Sequence, residues 1–121
     1  MTNKKTLVIG ASENPTRYSH FAIHSLRKKG HDVVALAKRK GIVADVSIQT
    51  EFPADQFIHT VTLYVGPQRQ QEYFDSLLKL KPERVIFNPG TENSELEEVL
   101  EDNGIEAVEA CTLVLLGTDQ Y

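Results

Sequence analysis

TLVIGASENPTR, running from Thr6 to Arg17, is the stretch whose reading decides the fold. Leu7, Val8 and Ile9 are consecutive apolar residues behind the polar Lys4-Lys5-Thr6. An unbroken apolar run suits a strand covered on both faces, as in the middle of a parallel sheet. Gly10, Ala11 and Ser12 follow at once, then Asn14 and Pro15, all small or turn-forming. Beyond Arg17 the period changes, and Tyr18, Phe21, Ala22 and Leu26 recur at helical spacing. Strand, glycine turn and helix together make the phosphate-binding end of a doubly wound α/β fold. Small residues let the backbone approach a phosphate, and the free N–H groups of a helix start point at it. Gly10-Ala11-Ser12 lacks the second and third glycines of the dinucleotide fingerprint, so the turn alone does not name a ligand.

Working outward, the first helix is expected over Pro15–Lys29, stopping at Gly30, with Arg27, Lys28 and Lys29 suited to the negative end of its dipole. Val33–Ala37 reads as a second buried strand ending in the basic turn Lys38-Arg39-Lys40-Gly41. Dinucleotide-binding domains usually carry an acid at that point to hold the ribose hydroxyls. Val43, Val46 and Ile48 suit a short extra strand or a hairpin edge. His59–Val65 is a third strand, closed by Gly66-Pro67 at the start of a helix whose buried face is Tyr73, Phe74, Leu77 and Leu78. Arg84–Phe87 is a fourth strand, followed by Asn88-Pro89-Gly90-Thr91. Ser94 to Glu97 reads as a capping box opening a helix with Leu96, Val99 and Leu100 inward. Ile105–Val108 is the last strand, and Cys111 begins an apolar tail over Thr112–Leu116.

The alternation predicts one domain over residues 1–121, a three-layer, doubly wound (Rossmann-like) α/β fold with a parallel sheet of about five strands. Right-handed crossovers bring the loops after the first four strands to a common rim, and ligands of such sheets bind in the crevice outside that rim. A length of 121 residues allows a single core, and 40% hydrophobic with 25% charged residues is ordinary for a soluble domain. A net charge of −4 gives no support for nucleic-acid binding. One cysteine makes no internal disulfide, and neither a membrane span nor a signal segment is visible, so a cytoplasmic location is expected.

Taken together, the rim loops resemble those of the small CoA-binding proteins, single-domain relatives of the nucleotide-binding domain in the succinyl-CoA synthetase α subunit. The resemblance rests on Gly10-Ala11-Ser12 with Asn14-Pro15, on Arg17-Tyr18-Ser19 opening the first helix, and on Gly30-His31-Asp32-Val33 before strand two. Lys40-Gly41, Val65-Gly66-Pro67, Gly90 and Cys111 continue it to the end of the chain. Two departures stand out. Val33-Val34-Ala35-Leu36-Ala37-Lys38 has neither proline that the family carries along strand two, and Glu109-Ala110-Cys111 replaces its Asp-Arg-Cys.

The resemblance implies coenzyme A or acyl-CoA as ligand, held by Gly10, Ala11, Ser12, Asn14, Pro15, Arg17, Tyr18, Lys38, Arg39, Lys40, Val65, Gly66, Pro67, Asn88, Pro89 and Gly90. Ser12 either donates to a diphosphate oxygen or caps the helix. Arg17 is either a phosphate partner or a solvated side chain. Lys38, Arg39 and Lys40 either meet the CoA phosphates or form a solvated basic turn. His20 and His24 have a metal-binding spacing but no further ligand, and no metal is expected. Cys111 reads as a small buried hydrophobe. A serine nucleophile needs a histidine base, and none lies on the expected rim, so no catalytic residue is assigned. The leading reading is a non-catalytic CoA-binding module. The alternative is a small NADP-binding enzyme or redox partner whose basic turn reads the 2′-phosphate. A homodimer or another protein partner stays open.

Overall fold

Leu7, Val8 and Ile9 are fully buried in strand β1 (Thr6–Ile9). β1 pairs in parallel with β2 (Val33–Leu36) on one side and β5 (Thr60–Leu63) on the other. Beyond β5 lie β6 (Arg84–Phe87) and β7 (Glu106–Glu109), both parallel. Beyond β2 lie β4 (Val46–Gln49) and, at the edge, β3 (Gly41–Val43). The computed structural model describes residues 2–121 and gives a seven-stranded sheet in the order β3-β4-β2-β1-β5-β6-β7.

Alternation along each strand sorts the core onto the two faces. Leu7, Ile9, Leu36, Leu63 and Phe87 share one cluster with Leu77 of α3 (Phe74–Leu80) and with Leu96 and Leu100 of α4 (Ser94–Asp102). Val8 and Ala35 join Ile23 and Leu26 of α1 (Tyr18–Lys28) and Leu116 of α5 (Thr112–Gly117) on the other face. Three layers result. Each fully buried Leu, Ile or Phe contributes about 1.5–3 kcal/mol of transfer free energy, and the neighbouring strands β1 and β5, buried throughout, form the centre of the core.

Two strands more than the expected five come from residues 41–49. The chain runs up β2, returns along antiparallel β3 and comes up again in β4, which pairs in parallel with β2. No crossover helix is needed, because β3 is the return. The turn at Ala44-Asp45 has Ala44 at φ 55 and lacks the Asn-Gly that marks a two-residue hairpin in sequence. Arg27 holds the hairpin tip, donating to both carboxylate oxygens of Asp45 at 2.9 and 2.8 Å and to the His31 carbonyl at 2.9 Å. Lys29 of the same basic cluster pairs with Asp119 at 3.2 Å.

Other boundaries move for local reasons. α1 begins at Tyr18 rather than Pro15, since the Asn14 side chain accepts from the Thr16 N–H at 3.0 Å and the Arg17 N–H donates to the Asn14 carbonyl at 3.0 Å, closing a turn. Its buried face is Ser19, Ala22, Ile23 and Leu26, while Tyr18 and Phe21 are exposed. The helix after Gly66-Pro67 is broken into α2 (Pro67–Gln70), a 3-10 turn (Gln71–Tyr73) and α3. The α4 cap is Asn93 rather than Ser94, its side chain accepting from the Leu96 N–H at 3.3 Å while Glu97 accepts from the Asn93 N–H at 3.2 Å. The apolar tail is helix α5, and Cys111 at its N-cap is half-buried rather than buried. No helix among the described residues is long and apolar enough to cross a membrane.

Opposite the rim, His31 is buried, its Nδ1 accepting from the Lys4 N–H at 2.9 Å, with Tyr121 packed against its ring. Burial above all, then the charges of Lys4 and Arg84, push the His31 imidazole below its ordinary value. His59 is pushed down the same way. The unfolded chain takes up protons on both near pH 6.5, whereas the folded chain resists until lower pH. Stability present above that pH is therefore lost as pH falls below it. The urea midpoint is expected to drop between pH 7 and pH 5, and His31→Gln should flatten part of the dependence.

Candidate functional site

The β1–α1 turn needs a residue without a side chain at its first position. Gly10 sits at φ +94, and a Cβ there would lie 2.8 Å from the Tyr64 carbonyl oxygen and 3.0 Å from Val65 Cγ1. β5 continues past the sheet at that point, with the Tyr64 N–H donating to the Ile9 carbonyl at 2.8 Å. Only a glycine lets the turn lie this close to the end of β5.

Around the turn opens a crevice of about 820 Å³, within the usual range for small-molecule sites of about 300–1,000 Å³. It lies over the carboxyl ends of β2, β1, β5 and β6. Gly10, Ala11, Ser12, Asn14, Arg17 and Tyr18 of the first loop line it, with Lys38, Arg39 and Lys40 of the second. Val65 and Gly66 after β5 and Pro89 and Gly90 after β6 complete the set of expected residues found there. Pro15, Pro67 and Asn88 are not among the lining residues. Pro15 lies in the turn closed by Asn14, and Pro67 is the first residue of α2.

Asn88 has a different task. Its Nδ2 donates to Thr62 Oγ1 at 2.6 Å and to the Leu63 carbonyl at 2.9 Å, while its Oδ1 accepts from the Thr112 N–H at 2.9 Å. The side chain is buried and fully engaged, tying β6 to β5 and to the start of α5. Gln70, also buried, fixes the neighbouring loops by donating to the carbonyls of Val65 at 2.9 Å and Thr91 at 2.8 Å. Its Oε1 accepts from Asn93 Nδ2 at 2.9 Å. The β5 and β6 sides of the crevice are thereby held by buried polar bonds rather than left as free loops.

The amides available to an anion differ from those the sequence suggests. Gly10 and Ala11 both donate to the Leu36 carbonyl, at 2.9 and 3.1 Å. Ser12 and Glu13 have no such backbone acceptor among the described residues, and the first amides of α1 are free by helix geometry. α1 has no side-chain cap, because its N-cap residue is Arg17, whose side chain has no acceptor; Ser12 Oγ accepts from the Asn14 N–H at 3.0 Å. Accepting there leaves the Ser12 hydroxyl proton free to donate elsewhere.

Charge in the crevice is mostly positive: Arg17, Lys38, Arg39 and Lys40 are joined by Arg69 of α2. Glu13 also lines it, its carboxylate accepting from the Ile42 N–H at 2.8 Å and packed against Gly41. Lys38 is not simply a solvated cation, because its Nζ lies 2.6 Å from Glu72 Oε1. Tyr64 and Tyr73 also line the crevice; the Tyr64 hydroxyl is buried away from it, and burial pushes both hydroxyls up to about 12. Arg69, Tyr73, Thr91, Glu13, Ser19, Ala37, Ile48 and Tyr64 line the crevice without having been picked out in the sequence. Arg69 follows Pro67 within the first turn of a helix at the rim, the one local signal that marks it. His20 Nδ1 lies 3.1 Å from the Ser12 carbonyl and its ring 4.8 Å from that of His24. No group of three His, Cys, Asp or Glu arranged to hold a metal occurs among the described residues.

Residues 4–117 match the family described as CoA binding domain. The crystal structure of an uncharacterized protein is 45% identical to the chain, covers all of both chains and superposes with a TM-score of 0.96. A structure from Thermus thermophilus is 20% identical, over 98% of this chain and 91% of its own, with a TM-score of 0.85. The dinucleotide-forming acetyl-coenzyme A synthetase 1 of Ca. Korarchaeum cryptofilum, in complex with phosphate and ADP, shares the fold over 88% of this chain and 26% of its own, at 16% identity and a TM-score of 0.69. No curated protein sequence matches.

Gly10→Ala is expected to lower unfolding stability by about 1–3 kcal/mol, from the unfavourable backbone angle and the contact with the Tyr64 carbonyl. Gly10→Val should cost more. Urea denaturation reads both; an unchanged midpoint for the alanine variant would show that the turn does not need glycine.

Proposed function

The chain belongs to the CoA binding domain family, and from that premise we propose that it is a non-catalytic module that holds coenzyme A, free or acylated, over the carboxyl ends of its strands. The observation that carries this reading is the division of the crevice. The β1–α1 loop supplies an uncapped helix start with free turn amides and the Ser12 hydroxyl, and the neighbouring loop after β2 supplies the basic turn Lys38–Lys40. A CoA-type ligand carries a diphosphate and a ribose 3′-phosphate, two anionic groups set apart. The diphosphate suits the α1 end, where amide dipoles favour negative charge. The 3′-phosphate suits Arg39 and Lys40, after the strand whose end meets the adenosine ribose in doubly wound folds.

The overall charge of −4 makes the gathering of cations at one crevice more telling. A cleft lined by one sign of charge concentrates the opposite sign and raises its rate of arrival. Binding rather than chemistry is supported by the groups that face the space. Amides, hydroxyls and cations hold phosphates, and the Tyr73 hydroxyl, pushed up to about 12, stays protonated at neutral pH and does not act as a base.

CoA at a hundred times its dissociation constant should stabilise the protein by about 2.7 kcal/mol. For a domain of this size that is a rise in Tm of about 10 °C. NADH should give no shift. A shift with NADPH and none with CoA would favour the NADP reading, in which the basic turn holds the 2′-phosphate.

CoA should bind severalfold more tightly than dephospho-CoA, with the gap narrowing as salt is added. Replacing Lys38, Arg39 and Lys40 together by Gln should remove the preference while sparing dephospho-CoA binding. Calorimetric titration of both ligands reads this directly. Equal loss of both would move the cluster onto the diphosphate, and full retention of the preference would make it a solvated turn.

A further inference from the structure

Lys38 and Glu72 meet across the crevice. Lys38 follows β2, and Glu72 stands in the 3-10 turn beyond β5. β1 lies between those strands in the sheet, so their 2.6 Å ion pair joins the segments that follow the strands on either side of β1. Lys38 lines the crevice on one side, while Arg69 and Tyr73, which flank Glu72 in sequence, line it on the other. Hydrogen bonds from Lys38 first and then from Tyr73, with smaller help from the charges of Lys38 and Arg69, hold the Glu72 carboxyl below the usual range. Their side chains are 61% and 43% exposed, and ion pairs this open to water add little to folding. Stability therefore does not account for where the pair sits.

We propose that Glu72 tunes affinity at this site: a built-in carboxylate that occupies Lys38 in the free protein and must be displaced by a phosphate of the ligand. This rests on the reading of the crevice as a CoA site. A phosphate brings more charge and more acceptor oxygens to an ammonium group than a carboxylate does. A ligand that carries a phosphate to Lys38 can complete the exchange. One without a phosphate there leaves the pair closed and gains nothing from Lys38. The competitor therefore lowers the affinity of ligands that bring a phosphate to Lys38 and leaves the affinity of other ligands unchanged.

Glu72→Gln removes the competitor while preserving the shape of the side chain. Titration of CoA into the wild type, Glu72→Gln, Lys38→Gln and the double variant tests the idea, with circular dichroism checking that each is folded. Glu72→Gln is expected to tighten CoA by about two- to tenfold, with the energies of exposed ion pairs setting the lower end. Pantetheine, which has no phosphate, should show no gain. In the Lys38→Gln background the effect of Glu72→Gln should shrink, because a competitor acts through the cation it occupies. An equal gain with and without Lys38 would reduce Glu72 to a general negative charge and overturn the proposal. So would no gain at all in a wild-type background that binds CoA. A wild type that does not bind CoA would instead remove the CoA reading itself, and this proposal with it.

Discussion

The close approach of Gly10 to the end of β5 is the constraint on which the rest of the site depends. A side-chain carbon at that position would stand 2.8 Å from the Tyr64 carbonyl oxygen. Because nothing is there, the chain leaves β1 at a positive φ, passes over the rim and reaches α1 with its first amides uncapped. The Leu36 carbonyl takes the Gly10 and Ala11 amides and ties the turn to β2 as well. The ends of the three central strands are thus fastened together at one residue, and the crevice is the space left outside that fastening.

Much of the fold is legible because the central strands are short, apolar and closed by strong turn signals. Leu7-Val8-Ile9 before Gly10, and Arg84–Phe87 before Asn88-Pro89-Gly90, are read correctly from period and punctuation alone. The β3–β4 hairpin is only partly legible. Its turn is Ala44-Asp45, with an alanine in the left-handed region, and it is fastened by Arg27 of a distant helix. A contact between residues so far apart in sequence leaves no local trace. The α4 cap slipped by one residue for a smaller reason: Asn93 and Ser94 are both good caps, and Gln70 holds Asn93 in place from another loop.

The rim of the crevice is legible for the same reason as the strands, since topology alone brings the loops after β1, β2, β5 and β6 together. Individual roles are less so. Asn88 sits at the rim in sequence but turns inward to satisfy buried groups of β5 and α5. Glu13, between Ser12 and Asn14, looks like an ordinary loop acid until the hairpin brings the Ile42 amide to it. Glu72 lies in a helical stretch far from any strand end, and only the broken helix after Gly66 swings it toward Lys38. Long-range pairings decide each of these cases, and a single sequence carries no record of them.

The most direct test of the account is to map the ligand onto the backbone by amide chemical shifts, titrating CoA into isotopically labelled protein. The largest changes are expected at Ser12, Glu13, Tyr18 and Ser19, with further changes at Lys38–Lys40, Gly66 and Gly90, and little change in α4 or β7. Changes centred on α4, β7 or the His31 end of the sheet, with Ser12 and Tyr18 unmoved, would contradict it.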